Sequence, residues 1–310
     1  MSPSTAFISP ANSPASRIAY LVTPHLPVAV ERRERPSLAS RPVVIADDAL
    51  RAGAGVLDCS LEALDAGVRA GMAVSRAEHL CPEATFLPPR LNLYHTAATA
   101  LFELLNGQMP RVEQAQPGGL YLDLRGLEGK DAEALAICHG QCEAIGRELR
   151  LPSTTGVAVN KFSAEAASLS IGPNRVLVLT AGTERAFLNG FPVSVLPVSE
   201  ELQRRLQLLG LRRLGQFACL PPAAALAQFG WEGQQAHRLA RGLDDRPLVP
   251  GRGERCEQAS QQFEPPLDNL ETLLAAAGRL MAALCQRIAA AWLRAGRLAL
   301  EAQCADGAAL

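Results

Sequence analysis

Between Arg17 and Ser170 the hydrophobic period of the chain switches repeatedly between that of a strand and that of a helix. Residues 17–22 (RIAYLV) and 41–46 (RPVVIA) are short apolar runs of strand length, and Pro36 and Pro42 flank the loop between them. From Leu61 to Cys81 the pattern is helical, broken at Gly67 and Gly71. Residues 91–109 form an amphipathic helix with Leu91, Tyr94, Ala98, Leu101 and Leu105 on one face. Residues 120–124 (LYLDL) alternate like a half-exposed strand, 131–149 read as a helix, 153–159 as a strand and 160–170 as a helix. Each strand needs a neighbouring strand for its backbone and each helix needs a sheet face for its stripe. The expected fold is therefore an α/β or α+β layer.

After about residue 176 the pattern changes. Residues 199–246 are a string of short helices with Gly-containing turns at Leu209-Gly210-Leu211 and Phe229-Gly230-Trp231. The stretch PGRGER, with Gly251 and Gly253, reads as a linker. A long helix, Leu270 to Ala295, and a strand, Leu298 to Gln303, then begin a further domain. One helix and one or two strands do not close a core, so this domain is expected to be incomplete. Residues 1–16, rich in Ser, Pro and Ala, lack the basic start and apolar stretch of a signal peptide and are expected to be a disordered lead-in. No apolar run is long enough for a membrane span. Eight cysteines occupy scattered, mostly apolar positions without a CxxC pair. Cys138 and Cys142, one helical turn apart with His139 between, read as small buried hydrophobes rather than metal ligands. That usage suits a reducing compartment, and a cytoplasmic location is expected. The net charge is −1, so any nucleic-acid binding must come from local patches.

Five segments, in order, resemble Y-family (lesion-bypass) DNA polymerases: VERRERPSLASRPVVIAD (Val30 to Asp47), SLEALDAGVRAGM with CPEATFLPP (Ser60 to Pro89), VEQAQPGGLYLD (Val112 to Asp123), GVAVNKFSAEAAS (Gly156 to Ser168) and LARGLDDRPLVP (Leu239 to Pro250). The resemblance implies an α+β multidomain fold. It comprises a palm (17–25 plus 86–176), fingers (26–85), a helical helix-hairpin-helix thumb (177–246), a linker (247–256) and a truncated α/β little finger (257–310).

The family's chemistry uses two divalent metals about 3.5–4 Å apart, held by carboxylates. Its three metal-binding acids map onto Val22, Gly118 and Gly119, and a further Asp of the opening motif onto Pro24. None of these side chains binds a metal. The triphosphate-contacting Tyr, Arg and Lys of the family map onto Leu61, Leu64 and Glu165, and the sugar-screening aromatic onto Pro27, while Lys161 survives. A glutamate beside a triphosphate repels by on the order of one kcal/mol or more. A Gly-Gly pair also has a structural reading, a tight turn entering the strand 120–124.

The expectation is then a chain with no catalytic residues, no metal and no cofactor, and hence not an enzyme. It resembles the ImuB-type branch, whose members lack a working active site. That resemblance implies a hub in damage-induced mutagenesis, with a sliding clamp, a RecA-like accessory protein and a separate error-prone polymerase as partners. The alternative is an active low-fidelity polymerase with relocated ligands, for which Glu113, Asp123, Asp47, Asp48 and Asp58 are available. An inert remnant is a third possibility.

Candidate contacts to damaged or primed DNA lie in the helical region. Leu209, Gly210 and Leu211 form one hairpin turn, with Arg204, Arg205, Arg212 and Arg213 around it. Such hairpins offer backbone N–H groups to phosphate. The other hairpin turn of the unit reads Pro197-Val198-Ser199. Lys161 and the linker residues Arg252 and Arg255 complete the set, and binding would be sequence-independent and salt-sensitive. Arg241 and Arg246 read as structural. On the helix from Leu270, a stripe of Leu273, Leu274, Leu280, Met281, Leu284 and Ile288 is expected to be core.

Overall fold

The computed structural model describes residues 17–46, 55–251, 259, 261, 263 and 269–290. The expected lead-in at 1–16, Asp47, Asp48, Arg252, Arg255 and the strand Leu298 to Gln303 lie outside the described residues. The chain forms two compact units, one from residues up to Pro24 with Thr99–Arg252, the other from His25–Ala98 with the residues from Gly253 onward.

The first unit is built on a five-stranded sheet of order β5-β6-β1-β7-β8. Its strands are β1 (Ile18–Val22), β5 (Val112–Gln116), β6 (Gly119–Asp123), β7 (Thr154–Ala158) and β8 (Val176–Val178). β1 is central and buried along its whole length, which is what a continuous apolar run requires. It pairs antiparallel with β6, Tyr20 opposite Tyr121 and Val22 opposite Gly119, and antiparallel with β7, Val22 opposite Thr154. Helix α5 (Asp131–Glu148) buries Ala134, Cys138, Cys142 and Ile145, and the Cys142 thiol lies 3.3 Å from Thr155 Oγ1. Burial pushes the Cys138 thiol up to about 12, as for a packed, unreactive cysteine. Helix α6 (Lys161–Leu169) packs Ala164 and Ala167 with Ile18, Tyr20, Val22 and Tyr121. A Cβ on Gly156 would lie 2.2 Å from Ala164 O, so only glycine allows α6 this close to β7.

Helices α7 (Glu184–Leu188), α8 (Glu200–Leu208), α9 (Leu214–Ala218) and α10 (Pro222–Ala240) follow in the same unit. Leu188, Leu202, Leu206, Leu214, Phe217 and Phe229 share a core with Phe162 of α6. Ser199 caps α8 through its side chain. The sequence pattern marked 199–246 as helical, where α8, α9 and the longer α10 lie, but α7, β5 and β8 escaped it. β5 buries only Val112 fully and β8 is three half-buried residues, so neither shows a clear period.

The second unit holds a three-stranded sheet of order β3-β2-β4, made of β2 (Val43–Ala46), β3 (Val56–Cys59) and β4 (Thr85–Leu87). Its helices include α1 (Leu26–Glu34), α2 (Leu61–Asp65), α3 (Val74–Leu80) and the first part of α4 (Leu91–Gln108). Gly67 and Gly71, both with positive φ, separate α2 from α3 where the helical pattern breaks. Glu31 is 1 % exposed and accepts from Arg90 Nε at 2.8 Å, Arg90 Nη2 at 2.5 Å and Tyr94 Oη at 2.7 Å. Helix α11 is described over Leu270–Ala290, and residues 291–295 of its expected span lie outside the described residues. Of its expected core stripe, Leu273 and Leu274 are exposed, while Leu280, Met281, Leu284 and Ile288 are half-buried. The architecture is thus mixed α/β. No helix among the described residues is long and apolar enough to cross a membrane.

Candidate functional site

Val22 ends β1 and faces Gly119, the first residue of β6. Pro117 and Gly118 join β5 to β6, with Gly118 at φ 80°, the Pro-Gly order of a type II turn. The Gly118 carbonyl accepts from Thr23 N at 2.8 Å, which ties the turn to the end of β1. Gly119 has no room for a side chain. A Cβ there would lie 2.3 Å from Tyr20 Oη and 2.8 Å from Gln116 Cγ, and Gln116 Nε2 donates to Tyr20 Oη at 2.8 Å. A phenol and an amide therefore fill the space in which an acid at position 119 would stand. Burial first, then the nearby Glu165 charge, pushes the Tyr20 phenol well above its usual range, so it stays protonated. No group of three or more His, Cys, Asp or Glu among the described residues is placed to hold a metal. Val22, Gly118 and Gly119 do not fit the metal pair that the family's fold implies.

Beside this position lies a charged network. Lys161 Nζ contacts Glu113 Oε1 at 2.6 Å and Oε2 at 2.7 Å and sits 4.6 Å from the Tyr121 ring centre. Glu113 also accepts from Val249 N at 2.6 Å. Tyr121 donates to Glu165, whose other neighbour is Arg246 at 3.6 Å. Arg246 pairs at 2.8 Å with Asp244, which accepts from Phe162 N at 2.9 Å. Burial pushes the Glu165 carboxyl above its usual range, an effect that the Tyr121 hydrogen bond and Arg246 only partly offset. Asp123 is likewise raised by burial, against the pull of Arg111 at 3.3 Å. Arg246 therefore has a structural role, matching the sequence reading. Tyr20 and Gln116 were not singled out in the sequence, because only the β1–β6 register shows that they meet at position 119.

The structure separates the expected DNA-contacting residues. Lys161 is 5 % exposed with its ammonium held by Glu113, so it is not placed to meet a phosphate. Arg205 donates to the Gln228 carbonyl and lies over the Phe229 ring, and Arg213 Nη1 donates to the Gly190 carbonyl at 2.8 Å. Arg204 and Arg212 are exposed and carry no ion pair among the described residues. Leu209 is exposed and Gly210 turns at φ 75°. The N–H groups expected to face phosphate are already engaged: Leu209 to Arg205 O, Gly210 to Gln207 O and Leu211 to Leu206 O, while the Gln216 side chain accepts from Arg212 N and Arg213 N. At the other turn, Ser199 N and Oγ donate to the Glu232 carboxylate at 2.5 and 2.9 Å. The hairpins thus satisfy their own amides, which leaves side-chain cations rather than backbone donors available to a ligand.

A family model described as the impB/mucB/samB family matches residues 24–169. The DNA polymerase IV of Alkalilimnicola ehrlichii is 31% identical over 268 residues, covering 86% of this chain and 74% of the relative. That of Methanoculleus marisnigri is 34% identical over 240 residues, covering 75% of this chain and 65% of the relative. Matches thus span roughly two thirds to three quarters of these relatives. Among solved structures, DinB from Sulfolobus solfataricus has a TM-score of 0.66 at 24% identity, covering 76% of this chain and 69% of that one. An insertion ternary complex of Dbh DNA polymerase has a TM-score of 0.64 at 24% identity, covering 75% and 69%. These two likenesses show the fold.

One expectation is corrected. The missing carboxylates at Val22, Gly118 and Gly119 suggested that the chain is not an enzyme, whereas its relatives are DNA polymerase IV, an enzyme. That expectation rested on these positions together with Leu61, Leu64, Pro27 and Glu165, and the relatives overturn it. Acids persist elsewhere on the same unit, at Glu113, Asp123, Glu165 and Asp244. From the shared sheet, the ordered motifs and these relatives, the chain belongs to the Y-family of DNA polymerases.

Proposed function

We propose that this chain acts on primed or damaged DNA in translesion synthesis, as a low-fidelity member of its family. The observation that carries the reading is the alignment of 86% of the chain with a DNA polymerase IV. DNA is held through its backbone by exposed cations, of which Arg204 and Arg212 are available and Arg252 and Arg255 follow in the linker sequence. Binding of this kind reads no base and weakens steeply with salt. The same relatives favour nucleotide transfer by this chain itself, although the described residues hold no group of three or more acids, histidines or cysteines placed for its metals. The finer ImuB-type reading adds a sliding clamp, a RecA-like accessory protein and a separate polymerase as partners. It rests on the sequence resemblance, and co-elution of the purified components tests it.

The deciding experiment combines retention of a primed template with primer extension in magnesium or manganese, for the wild type and an Arg204→Glu/Arg212→Glu variant. Salt-sensitive retention that weakens in the variant, with a salt slope reduced by about 2, is expected. Extension that falls with retention supports synthesis by this chain. Retention without extension supports a DNA-bound role beside another polymerase. A chain that neither retains nor extends the template overturns the proposal.

A further inference from the structure

The two edges of the five-stranded sheet are treated differently. The β5 edge is covered: Gly251 N donates to Val112 O at 2.8 Å and Gln114 N to Gly251 O at 3.1 Å. Among the described residues the β8 edge is open. Thr155 N donates to Arg175 O at 3.0 Å and Leu179 N to Val157 O at 2.8 Å, which turns alternate peptide groups of β8 toward β7. The N–H and C=O groups of Val176 and Val178 therefore point outward, and no group among the described residues takes them. Unpaired edges of this kind are templates for another strand.

Beside that edge runs a groove of about 710 Å³ between β8 and α5. Leu135, Ala136, Ile171, Val176 and Leu177 give it an apolar lining, and Leu135 is 43 % exposed. Its rim carries His139 and Glu143, whose Nδ1 and Oε1 atoms sit 3.3 Å apart. Arg175 also lines the groove, is exposed, and has no ion pair among the described residues. Arg175 is thus the permanently charged cation of the rim, and it is unpaired among the described residues.

We infer that the open edge of β8 and the β8–α5 groove dock an extended segment of a partner protein, with alternating apolar side chains and an acidic residue that meets Arg175. Backbone pairing with Val176 and Val178 supplies affinity, and the apolar groove with Arg175 supplies selectivity. At about 3.3 Å per residue, a segment of roughly five residues covers the edge. A second copy of this chain is the poorer occupant, since its own edge reads Arg175-Val176-Leu177-Val178 and brings no acid to the rim.

The test uses the full chain and a blocked synthetic peptide, acetyl-Asp-Leu-Thr-Leu-Thr-amide. Amide hydrogen exchange at Val176 and Val178 is expected to slow about tenfold at saturation, one opening equilibrium shifted by an added hydrogen-bonded strand. Affinity is expected to fall about fivefold in Arg175→Glu and to return with the peptide whose Asp is replaced by Lys. Arg175 is exposed, so the variant folds, which an unchanged thermal midpoint verifies. Three results overturn the inference. They are no protection at millimolar peptide, binding indifferent to Arg175→Glu, and protection that rises with protein concentration alone, which assigns the edge to a second copy.

Discussion

A Cβ at position 119 lies 2.3 Å from Tyr20 Oη, so Gly119→Ala strains the β1–β6 pair by about 1–3 kcal/mol. Tyr20→Phe removes the clashing oxygen, and the double variant is expected to recover part of the loss; a double-mutant cycle by urea unfolding measures the coupling. Glu31, buried, and Glu165, half-buried, are carboxylates with opposite pH behaviour. Burial alone would raise Glu31, but Arg90 and Tyr94 outweigh it and hold the carboxyl below its usual range. Its contribution is therefore present above the unfolded pKa, about 4.3, and is lost as pH falls through the folded value. Glu31→Gln is expected to cost about 2 kcal/mol at pH 7, less than a fully buried pair because Arg90 is 37 % exposed. The stability gap to wild type should close on acidification. Glu165 is raised by burial, so its contribution is greatest below the unfolded pKa and declines as pH rises through the folded one. Relative to wild type, Glu165→Gln should gain stability between pH 4 and pH 7.5, and unfolding curves that move the other way would show that Arg246 dominates.

Two contacts set how α6 stands on the sheet. Asn160 Oδ1 accepts from Ser163 N at 2.9 Å as a cap, and its Nδ2 donates to Gly242 O at 2.9 Å. Asn160→Ala loses both and is expected to destabilise by about 1–2 kcal/mol, with faster hydrogen exchange at Ser163. Helix α8 begins with the Ser199 amide bound to Glu232. A carboxylate there competes with any phosphate drawn to the same helix end. Glu232→Gln is therefore expected to tighten primed-template retention about two- to fivefold at low salt, and unchanged retention would place the DNA away from this turn. The helical stretches 91–109, 131–149 and 160–170 were legible because their apolar faces are long enough to show a period. β8 and β5 were not, since three half-buried residues or a single buried one carry no period.

Over the whole molecule, the chain leaves the five-stranded unit at Pro24 and returns at Thr99, so neither unit is continuous in sequence. Within the first unit, residues 242–251 act as a strap. Gly242 O holds Asn160, Asp244 holds Phe162 N and Arg246, Val249 N holds Glu113, and Gly251 pairs with β5. Asp244→Ala releases Phe162 N and strips Arg246 of its bidentate partner. Limited proteolysis should then cut within 242–251 well before the rest of the unit, and a variant as resistant as wild type would mean that the contacts at Gly242, Val249 and Gly251 hold the strap without Asp244.

By itself the sequence determined the class of the fold, the helical character of 199–240 and the family, because period and ordered motifs are local properties. It also showed that Val22, Gly118 and Gly119 offer no metal-binding group. Only the tertiary structure decided what fills those positions and which charges remain free. Tyr20 reaches Gly119 through strand register, Lys161 is neutralised by Glu113, forty-eight residues away, and Arg205 and Arg213 are drawn onto backbone carbonyls. Whether a cation can serve a ligand depends on who stands beside it, and that neighbour is set by long-range packing rather than by the chain's own order.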